Sequence, residues 1–354
     1  MRPEAKSSGR APAGAPNRSE PHNYRRMNGL RNHGVREVTI DEASVGQRID
    51  NFLAKTLKGV PKSHLYRILR SGEVRVNGRR AGPETRLAEG DRVRLPPVRV
   101  GDPPSPAASG AAAARAGEKL VVLHEDEDLV VLDKPAGVAV HGGSGIAHGV
   151  IERLRAARPG ARFLELVHRL DRDTSGVLLV AKRRPALTAL HAAWRAGEVD
   201  KRYQVLVRGR WRDAKRVVRL PVHRYLTREG ERRVRVEDDG QHAQTTFRRL
   251  ATWPAHDPPL ALLDAELHTG RTHQIRVHLT HVGFPLAGDD KYGDFAWNRV
   301  LAKQGLKRMF LHAASLGLAH PRTGEVLTLV APLPADLASF VASLGPAARG
   351  ATDA

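Results

Sequence analysis

Near the start of the chain, apolar residues recur twice at the spacing of one helix face. The first set lies within residues 49–57 and the second within 65–69, and each predicts an amphipathic helix. Ser63 stands where a side chain can cap the second helix. Apolar and polar residues then alternate on both sides of Asn77-Gly78, a pair typical of a tight hairpin turn. The pattern predicts a small helix–helix–hairpin unit.

After residue 119 the pattern mixes short strands with helices. The order lacks the regular strand–helix–strand alternation of a parallel sheet, so the sequence favours an α+β fold. The predicted strands lie at 120–123, 129–132, 176–181, 203–207, 245–250, 260–267, 310–319 and 326–330. The predicted helices lie around 150–154, 187–194, 275–282 and 337–344.

Composition marks the expected domain boundaries. Residues 1–35 are rich in Gly, Pro, Ser and Arg without periodicity, which predicts a disordered basic tail. Residues 36–97 form the first compact domain. The Pro, Ala and Gly content of 98–118 predicts a linker. A large domain is expected over 119–345, followed by a short tail at 346–354.

The charge balance favours a polyanion as partner. The chain has 58 Lys and Arg against 38 Asp and Glu, a net charge of +20. Arginines, which bind phosphate through paired hydrogen bonds, account for 46 of the basic residues, although a GC-rich genome would also raise that share. Cysteine is absent, which excludes disulfides and thiolate metal sites. No apolar run approaches the ~20 residues of a membrane span. The absence of cysteine suits a reducing cytoplasm, and the polar, basic N-terminus lacks the apolar stretch of a secretory signal, so we expect a cytoplasmic protein.

The first domain is itself strongly basic. Residues 46–97 carry 12 basic and 5 acidic residues, and six of the basic ones gather around the second helix and the hairpin. They could form an ordinary solvated face, but in so basic a chain we expect them to contact RNA phosphates. The six residues are Lys62, Arg67, Arg70, Arg75, Arg79 and Arg80.

The most informative stretch is the polar loop at residues 168–176, which runs directly into a buried strand. A loop mounted in this way can hold catalytic groups rigidly. Its Asp171 can act as nucleophile, general base or metal ligand, or can merely cap the turn. A nucleophilic aspartate also needs a cation to orient it. Asp171 and Asp173 together could bind magnesium in a metal-dependent RNA nuclease, but the sequence locates no further carboxylates for such a site.

A second polar stretch lies at residues 269–278. Thr272 can cap a helix there, and Arg276 then lies one turn in from His273. Four histidines occur between positions 268 and 281, but no acidic residue completes a metal-binding helix motif. Ordinary polar contacts or RNA contacts are therefore favoured for them.

Tyr203 begins a predicted strand, where it can stack on a base or simply be half-buried. Residues 134–145 are dense in glycine and permit close approach of the backbone to a ligand, without matching a phosphate-binding loop.

These motifs resemble those of the RluA-type pseudouridine synthases. The loop at 168–176 is similar to the signature loop of that family, which implies that Asp171 is the nucleophile. By the same resemblance, Arg276 forms an ion pair with that aspartate and Tyr203 packs on the target uracil. Arg169 corresponds to the arginine that enters the space left by the flipped nucleotide.

The resemblance continues in the remaining motifs. Residues 134–141 resemble the first motif of the family and residues 310–313 the last, so we expect substrate contacts from His141 and Leu311. We also expect a substrate contact from Arg271, in the stretch that resembles the later motif of the family. Residues 46–97 resemble an S4-type (αL) RNA-binding domain. The combination is similar to the subfamily that acts on large-subunit ribosomal RNA.

The resemblance implies an α+β pseudouridine synthase fold, with a mixed, mainly antiparallel sheet and a small N-terminal S4-type domain. It implies an enzyme that isomerises uridines in 23S ribosomal RNA without a cofactor. Nothing in the sequence demands a metal, a membrane or more than a monomer. Two further alternatives stay open, namely a non-catalytic ribosome-associated RNA-binding protein and the same chemistry on transfer RNA.

Overall fold

The computed structural model describes residues 31–33, 35–41, 44–57, 60–100, 120–142, 149–228 and 231–349. Most of the predicted tail at 1–35 and of the predicted linker at 98–118 lies outside these residues. The described residues divide into a first unit built on Arg48–Thr85 and a second that contains residues 120–349. The second unit also includes Thr39–Gln47 and Arg86–Asp91, which lie inside the domain predicted at 36–97. The domain boundaries expected from composition therefore stay predictions.

The first unit contains the two predicted helices and two small sheets. Its helices are α1 (Ile49–Thr56) and α2 (Lys62–Arg70). Its strands are β1 (Arg31–His33), β2 (Arg36–Thr39), β3 (Arg75–Val76), β4 (Arg79–Arg80), β5 (Arg92–Leu95) and β6 (Val98–Val100). One sheet has the order β2-β5-β3-β4, and β1 pairs with β6. The predicted apolar faces are buried in both helices.

The predicted hairpin is confirmed and one predicted cap is wrong. Asn77 and Gly78 have φ angles of 51° and 78°, as a two-residue turn between β3 and β4 requires. Ser63 does not cap α2, because the helix begins one residue earlier at Lys62. Pro61, with φ −57° and no N–H of its own, occupies the position before the helix without a capping side chain.

The second unit is built on an eleven-stranded sheet and five helices within the described residues. The helices are α3 (Val150–Ala157), α4 (Arg184–Ala196), α5 (Gln274–His281), α6 (Phe295–Lys303) and α7 (Ala335–Ser343). The strands are β7 (Val121–Glu125), β8 (Leu129–Lys134), β9 (Glu165–Leu166), β10 (Ser175–Ala181), β11 (Asp200–Arg208), β12 (Lys215–Arg219), β13 (Val222–Leu226), β14 (Arg232–Val236), β15 (Gln244–Trp253), β16 (Leu260–Leu267), β17 (Leu311–Ala319), β18 (Val326–Val330) and β19 (Ala348–Arg349).

The sheet is mixed but mainly antiparallel. Its central order is β12-β15-β16-β11-β17-β10-β8-β7, with β18, β19 and β9 paired at its sides, while β13 and β14 form a separate hairpin. The parallel pairing of β10 and β17 joins Ser175 and Gly176 to His312 and Ala313. Side chains of β8 and β10 enter apolar clusters on both faces of the sheet, which explains their continuous apolar runs. No helix in the described part of the chain is long and apolar enough to cross a bilayer.

Gly176 allows the close parallel approach at the start of β10. Its φ is +112°, and a Cβ atom there would lie 2.1 Å from the carbonyl oxygen of Ala313. Only glycine fits this position. The approach anchors the end of the polar loop at 168–176 against the start of β17.

Candidate active site

Asp171 lies on a short turn between β9 and β10, and its side chain is 30% exposed. The turn is closed by the Thr174 N–H, which donates to the Asp171 carbonyl at 3.2 Å. A second hydrogen bond, from the Gly137 N–H to the Arg172 carbonyl at 2.9 Å, ties the turn to the segment after β8. The backbone on both sides of Asp171 is therefore held in place.

Lys134 supports this turn from within the protein. Its Nζ donates to the carbonyls of Pro135, Val138 and Arg172 at 2.8, 2.7 and 3.0 Å. Burial lowers the pKa of Lys134 to about 7. The three carbonyl acceptors can take all three hydrogens of an ammonium group, so this geometry fits the charged form.

Arg276, on α5, is the cation that approaches Asp171. Its NH1 lies 3.5 Å from Asp171 Oδ2, while its Nε and NH2 each donate to Asp289 at 2.7 Å. The Arg276 side chain is 4% exposed and that of Asp289 is fully buried. Burial by itself would lower the pKa of Arg276, but the hydrogen bonds and charge of Asp289 outweigh it and raise the pKa. The guanidinium is fixed by one carboxylate and faces another.

The helix that carries Arg276 begins differently from the prediction. Thr272 does not cap it, because α5 starts at Gln274 and is preceded by His273 in the left-handed conformation, with φ 53°. The Gln274 side chain instead closes the turn before the helix, since its Oε1 accepts from the Arg271 N–H at 3.0 Å and from Thr269 Oγ1 at 2.7 Å. The left-handed turn directs His273 towards Asp171, with 3.8 Å between His273 Nε2 and Asp171 Oδ2.

Two other histidines of this region, His268 and His278, make ordinary polar interactions. His278 is bonded at both ring nitrogens, to Thr245 Oγ1 at 3.0 Å and to the Leu220 carbonyl at 2.9 Å. His268 Nε2 lies 2.9 Å from Thr246 Oγ1.

One pocket brings together most of the predicted site residues. Tyr203 and Leu311 are buried in it, and burial, with a further contribution from the charge of Asp171, raises the pKa of the Tyr203 phenol well above its ordinary value. Arg169 and Arg271 are exposed at its edge. His141 is exposed and does not line it. Its lining comprises Arg169, Leu170, Asp171, Thr174, Tyr203, Leu267, Gly270, Arg271, His273, Gln274, Ile275, Arg276 and Leu311.

Asp173 faces a different cavity from Asp171. It lines a larger depression beside Lys134 and Arg308, and it pairs with Arg172 at 3.2 Å. Within the described residues, the groups of side chains with metal-ligand spacing lie elsewhere, at Asp126, Asp128 and His320 and at His223, Glu237 and Asp239. The two aspartates of the loop are thus not placed as a shared magnesium site.

Comparison with known proteins places the chain in a family. Residues 128–281 match the RNA pseudouridylate synthases, and residues 47–93 match the S4 domain. The chain is 52% identical over 298 residues to "Ribosomal large subunit pseudouridine synthase C" of Escherichia coli, covering 84% of this chain and 92% of that protein. The chain belongs to the RNA pseudouridylate synthase family. The family and the S4 domain predicted from the motifs are confirmed.

Further relatives and solved structures agree with this assignment. A Pasteurella multocida protein of the same name is 49% identical, over 88% of this pseudouridylate synthase and 95% of the relative. The structure of human RNA pseudouridylate synthase domain containing 4 aligns with a TM-score of 0.51 and 29% identity, over 66% of this chain and 95% of the other. The structure of human RNA pseudouridylate synthase domain containing 1 aligns with a TM-score of 0.52 and 25% identity, over 64% of this chain and 95% of the other. The predicted α+β fold is likewise confirmed.

The structure also shows site residues of the pseudouridylate synthase that the motif analysis did not single out. Asp289 and Tyr292 approach the site from the loop after α5. His273 was considered among four histidines for which polar or RNA contacts were favoured over metal binding, without a role beside Asp171. The run of Gly and Asp at 288–290 is typical of a polar loop and is the signal that sequence analysis could have used. Nothing in its spacing, however, predicted an ion pair with Arg276.

The six basic residues predicted to bind RNA are all exposed in the S4-type unit. Three arginines stand in line across neighbouring strands, because Arg75 pairs with Arg80 on one side and with Arg94 on the other. Like charges directly opposite one another repel, so an anion lying against this row would stabilise it. Arg94, which belongs to the row, was not among the predicted residues.

Proposed function

We propose that this chain converts specific uridines of large-subunit ribosomal RNA to pseudouridine, as a cytoplasmic, monomeric enzyme without cofactor or metal. The observation that carries the chemistry is Asp171 at the pocket edge, beside an arginine that Asp289 already holds in position. The relatives named "Ribosomal large subunit pseudouridine synthase C" and the S4 domain support the substrate.

In this proposal Asp171 is the nucleophile. The reaction breaks the N–C glycosidic bond of uridine, turns the uracil and rejoins it through carbon, so atoms and electrons balance without an external reagent. A carboxylate beside an oxocarbenium-like sugar is established chemistry in glycosidases, and attack on the uracil ring is the other route open to Asp171. Arg276 keeps the carboxylate charged and oriented.

In the proposal Tyr203 contacts the flipped uracil, and Arg169 fills the space that the nucleotide leaves in the RNA stack. Extruding a nucleotide from a stacked helix costs a few kcal/mol. Arg169 is exposed and lines the pocket, and in this proposal it occupies the vacated position and offsets part of that cost. Tyr203 lies deeper and keeps its proton at neutral pH, so its ring can pack on the uracil and its hydroxyl can donate a hydrogen bond. Leu311 and Arg271 complete the substrate interactions, and a role for His141 stays a prediction.

The mapping of pseudouridines tests this function. We expect carbodiimide-reactive positions in large-subunit ribosomal RNA that are present with the protein, absent without it and restored by the purified enzyme. RNA strand length should not change, because the reaction is an isomerisation. Cleavage of the RNA would favour a nuclease, and pseudouridine found only in transfer RNA would favour the transfer-RNA alternative. Binding without conversion would favour a non-catalytic protein.

We further predict that the arginine row of the S4-type unit sets part of the RNA affinity. The double variant Arg75→Gln, Arg80→Gln should weaken binding and reduce the slope of log K against log salt by about one for each phosphate that is no longer neutralised. Filter binding at several salt concentrations measures this slope. Arg92→Gln is the matched control, because Arg92 lies in the same sheet but is paired with Glu37. Equal slopes for the double variant and the wild type would contradict the role.

A further inference from the structure

The two oxygens of Asp171 have different surroundings. Both neighbouring nitrogens approach Oδ2, with Arg276 NH1 at 3.5 Å and His273 Nε2 at 3.8 Å. Within the described residues, Oδ1 accepts no side-chain or backbone hydrogen bond. The carboxylate is thus oriented through one oxygen, and the other is left available.

His273 is held in an unfavourable backbone conformation. A φ of 53° is uncommon for a residue with a side chain, and such strain persists only where the surrounding structure enforces it. The His273 side chain is also 13% exposed, in the pocket beside Asp171. Such strain next to a reactive group indicates a position maintained for its geometry.

Tyr292 holds His273 from the side away from Asp171. Its hydroxyl oxygen accepts from the Val234 N–H at 2.9 Å and lies 2.8 Å from His273 Nδ1. Its ring lies under the Arg276 guanidinium at 5.1 Å, and its backbone N–H donates to Asp289. One tyrosine therefore touches both groups that approach Asp171 Oδ2.

The hydrogen positions follow from these interactions. Burial raises the pKa of Tyr292 to about 12, so the phenol keeps its proton. Since its oxygen already accepts from Val234, its own hydrogen is available for His273 Nδ1. Burial lowers the pKa of His273 despite the charge of Asp171, which favours the neutral ring. A neutral ring that accepts at Nδ1 carries its hydrogen on Nε2, towards Asp171.

We propose that His273 and Tyr292 are positioning residues, which direct Asp171 Oδ2 towards Arg276 and leave Oδ1 as the reacting oxygen. The inference rests on the proposed function, since it concerns the orientation of the nucleophile. Neither side chain takes part in bond making. Their loss should allow the carboxylate to rotate and should lower the rate of the chemical step rather than substrate binding.

Two single variants and their combination test the proposal. Tyr292→Phe removes the hydroxyl but keeps the ring under Arg276. His273→Asn removes the imidazole but tolerates the left-handed backbone, which asparagine adopts more readily than most residues. Each should lower kcat on the order of tenfold and leave KM within about twofold. The double variant should be no slower than His273→Asn alone, because the hydroxyl acts through the ring.

The control is Tyr225→Phe, a change of the same kind in a tyrosine that packs against Arg235 on the separate β13–β14 hairpin. It should retain wild-type kcat. Thermal melting and RNA affinity are measured on all variants, so that misfolding is recognised. Wild-type kcat in either single variant, a rise in KM alone, or multiplicative effects in the double variant would overturn the proposal. Absence of pseudouridine with the wild-type protein would instead overturn the proposed function.

Discussion

Asp171→Asn is expected to abolish pseudouridine formation while leaving RNA affinity nearly unchanged. Asparagine has almost the same size, but it lacks the negative charge and the nucleophilic oxygen that the reaction needs. Loss of a catalytic nucleophile typically costs on the order of 10⁴-fold or more in kcat. The fold should persist, because Asp289 continues to neutralise Arg276. Single-turnover assays on a large-subunit RNA fragment measure the loss, and filter binding measures affinity.

Asp173→Asn is the matched control for this experiment. Asp173 lies two residues away on the same loop, but it faces the larger depression and pairs with Arg172. Its variant should retain activity within about tenfold, because a surface pair of this kind contributes little. Substantial turnover by Asp171→Asn would refute the nucleophile assignment. Equal, complete losses in both variants would instead point to a reaction that uses the two carboxylates together.

Asp289→Asn is expected to destabilise the protein and reduce its activity together. It would leave the buried Arg276 guanidinium without its carboxylate, and removing one partner of a buried pair typically costs about 3–5 kcal/mol. The amide can accept from Arg276 only once and would direct its own N–H groups at the remaining donors. Urea unfolding measures the free energy of unfolding, and kcat should fall because Arg276 no longer aligns Asp171.

The same pair predicts how acid affects stability. Burial would raise the pKa of Asp289, but the hydrogen bonds and charge of Arg276 outweigh it and hold the pKa below its ordinary value. The pair therefore stabilises the protein at neutral pH, and this contribution is lost as the pH falls through the folded-state pKa of Asp289. In Asp289→Asn that part of the acid dependence should disappear.

Asp290→Asn provides the control for the buried pair. Asp290 is the next residue and also lies near Arg276, at 3.5 Å, but its side chain is 66% exposed. Water screens a carboxylate so placed, and its removal should change stability little. If both variants lost the same free energy of unfolding, burial would not be the source of the effect.

Much of the fold could be predicted because strands and helices leave local patterns. The predicted strands at 260–267 and 326–330 coincide with β16 and β18. By contrast, β12, β13 and β14 were missed, since exposed arginines interrupt their apolar residues and no buried run marks them. The caps assigned to Ser63 and Thr272 were wrong because both helices begin at other residues than predicted, after Pro61 and after a left-handed His273, and neither start carries a capping side chain.

The sequence by itself determined the family, the α+β fold and the identity of the candidate nucleophile, because contiguous motifs and apolar periodicity are properties of neighbouring residues. Only the tertiary structure decided what surrounds that nucleophile. Arg276 reaches Asp171 across 105 positions of the chain, and Asp289 holds Arg276 from the following loop. Such interactions depend on how β10, β17 and α5 are positioned relative to one another in the fold. Local residue patterns carry no information about those relative positions.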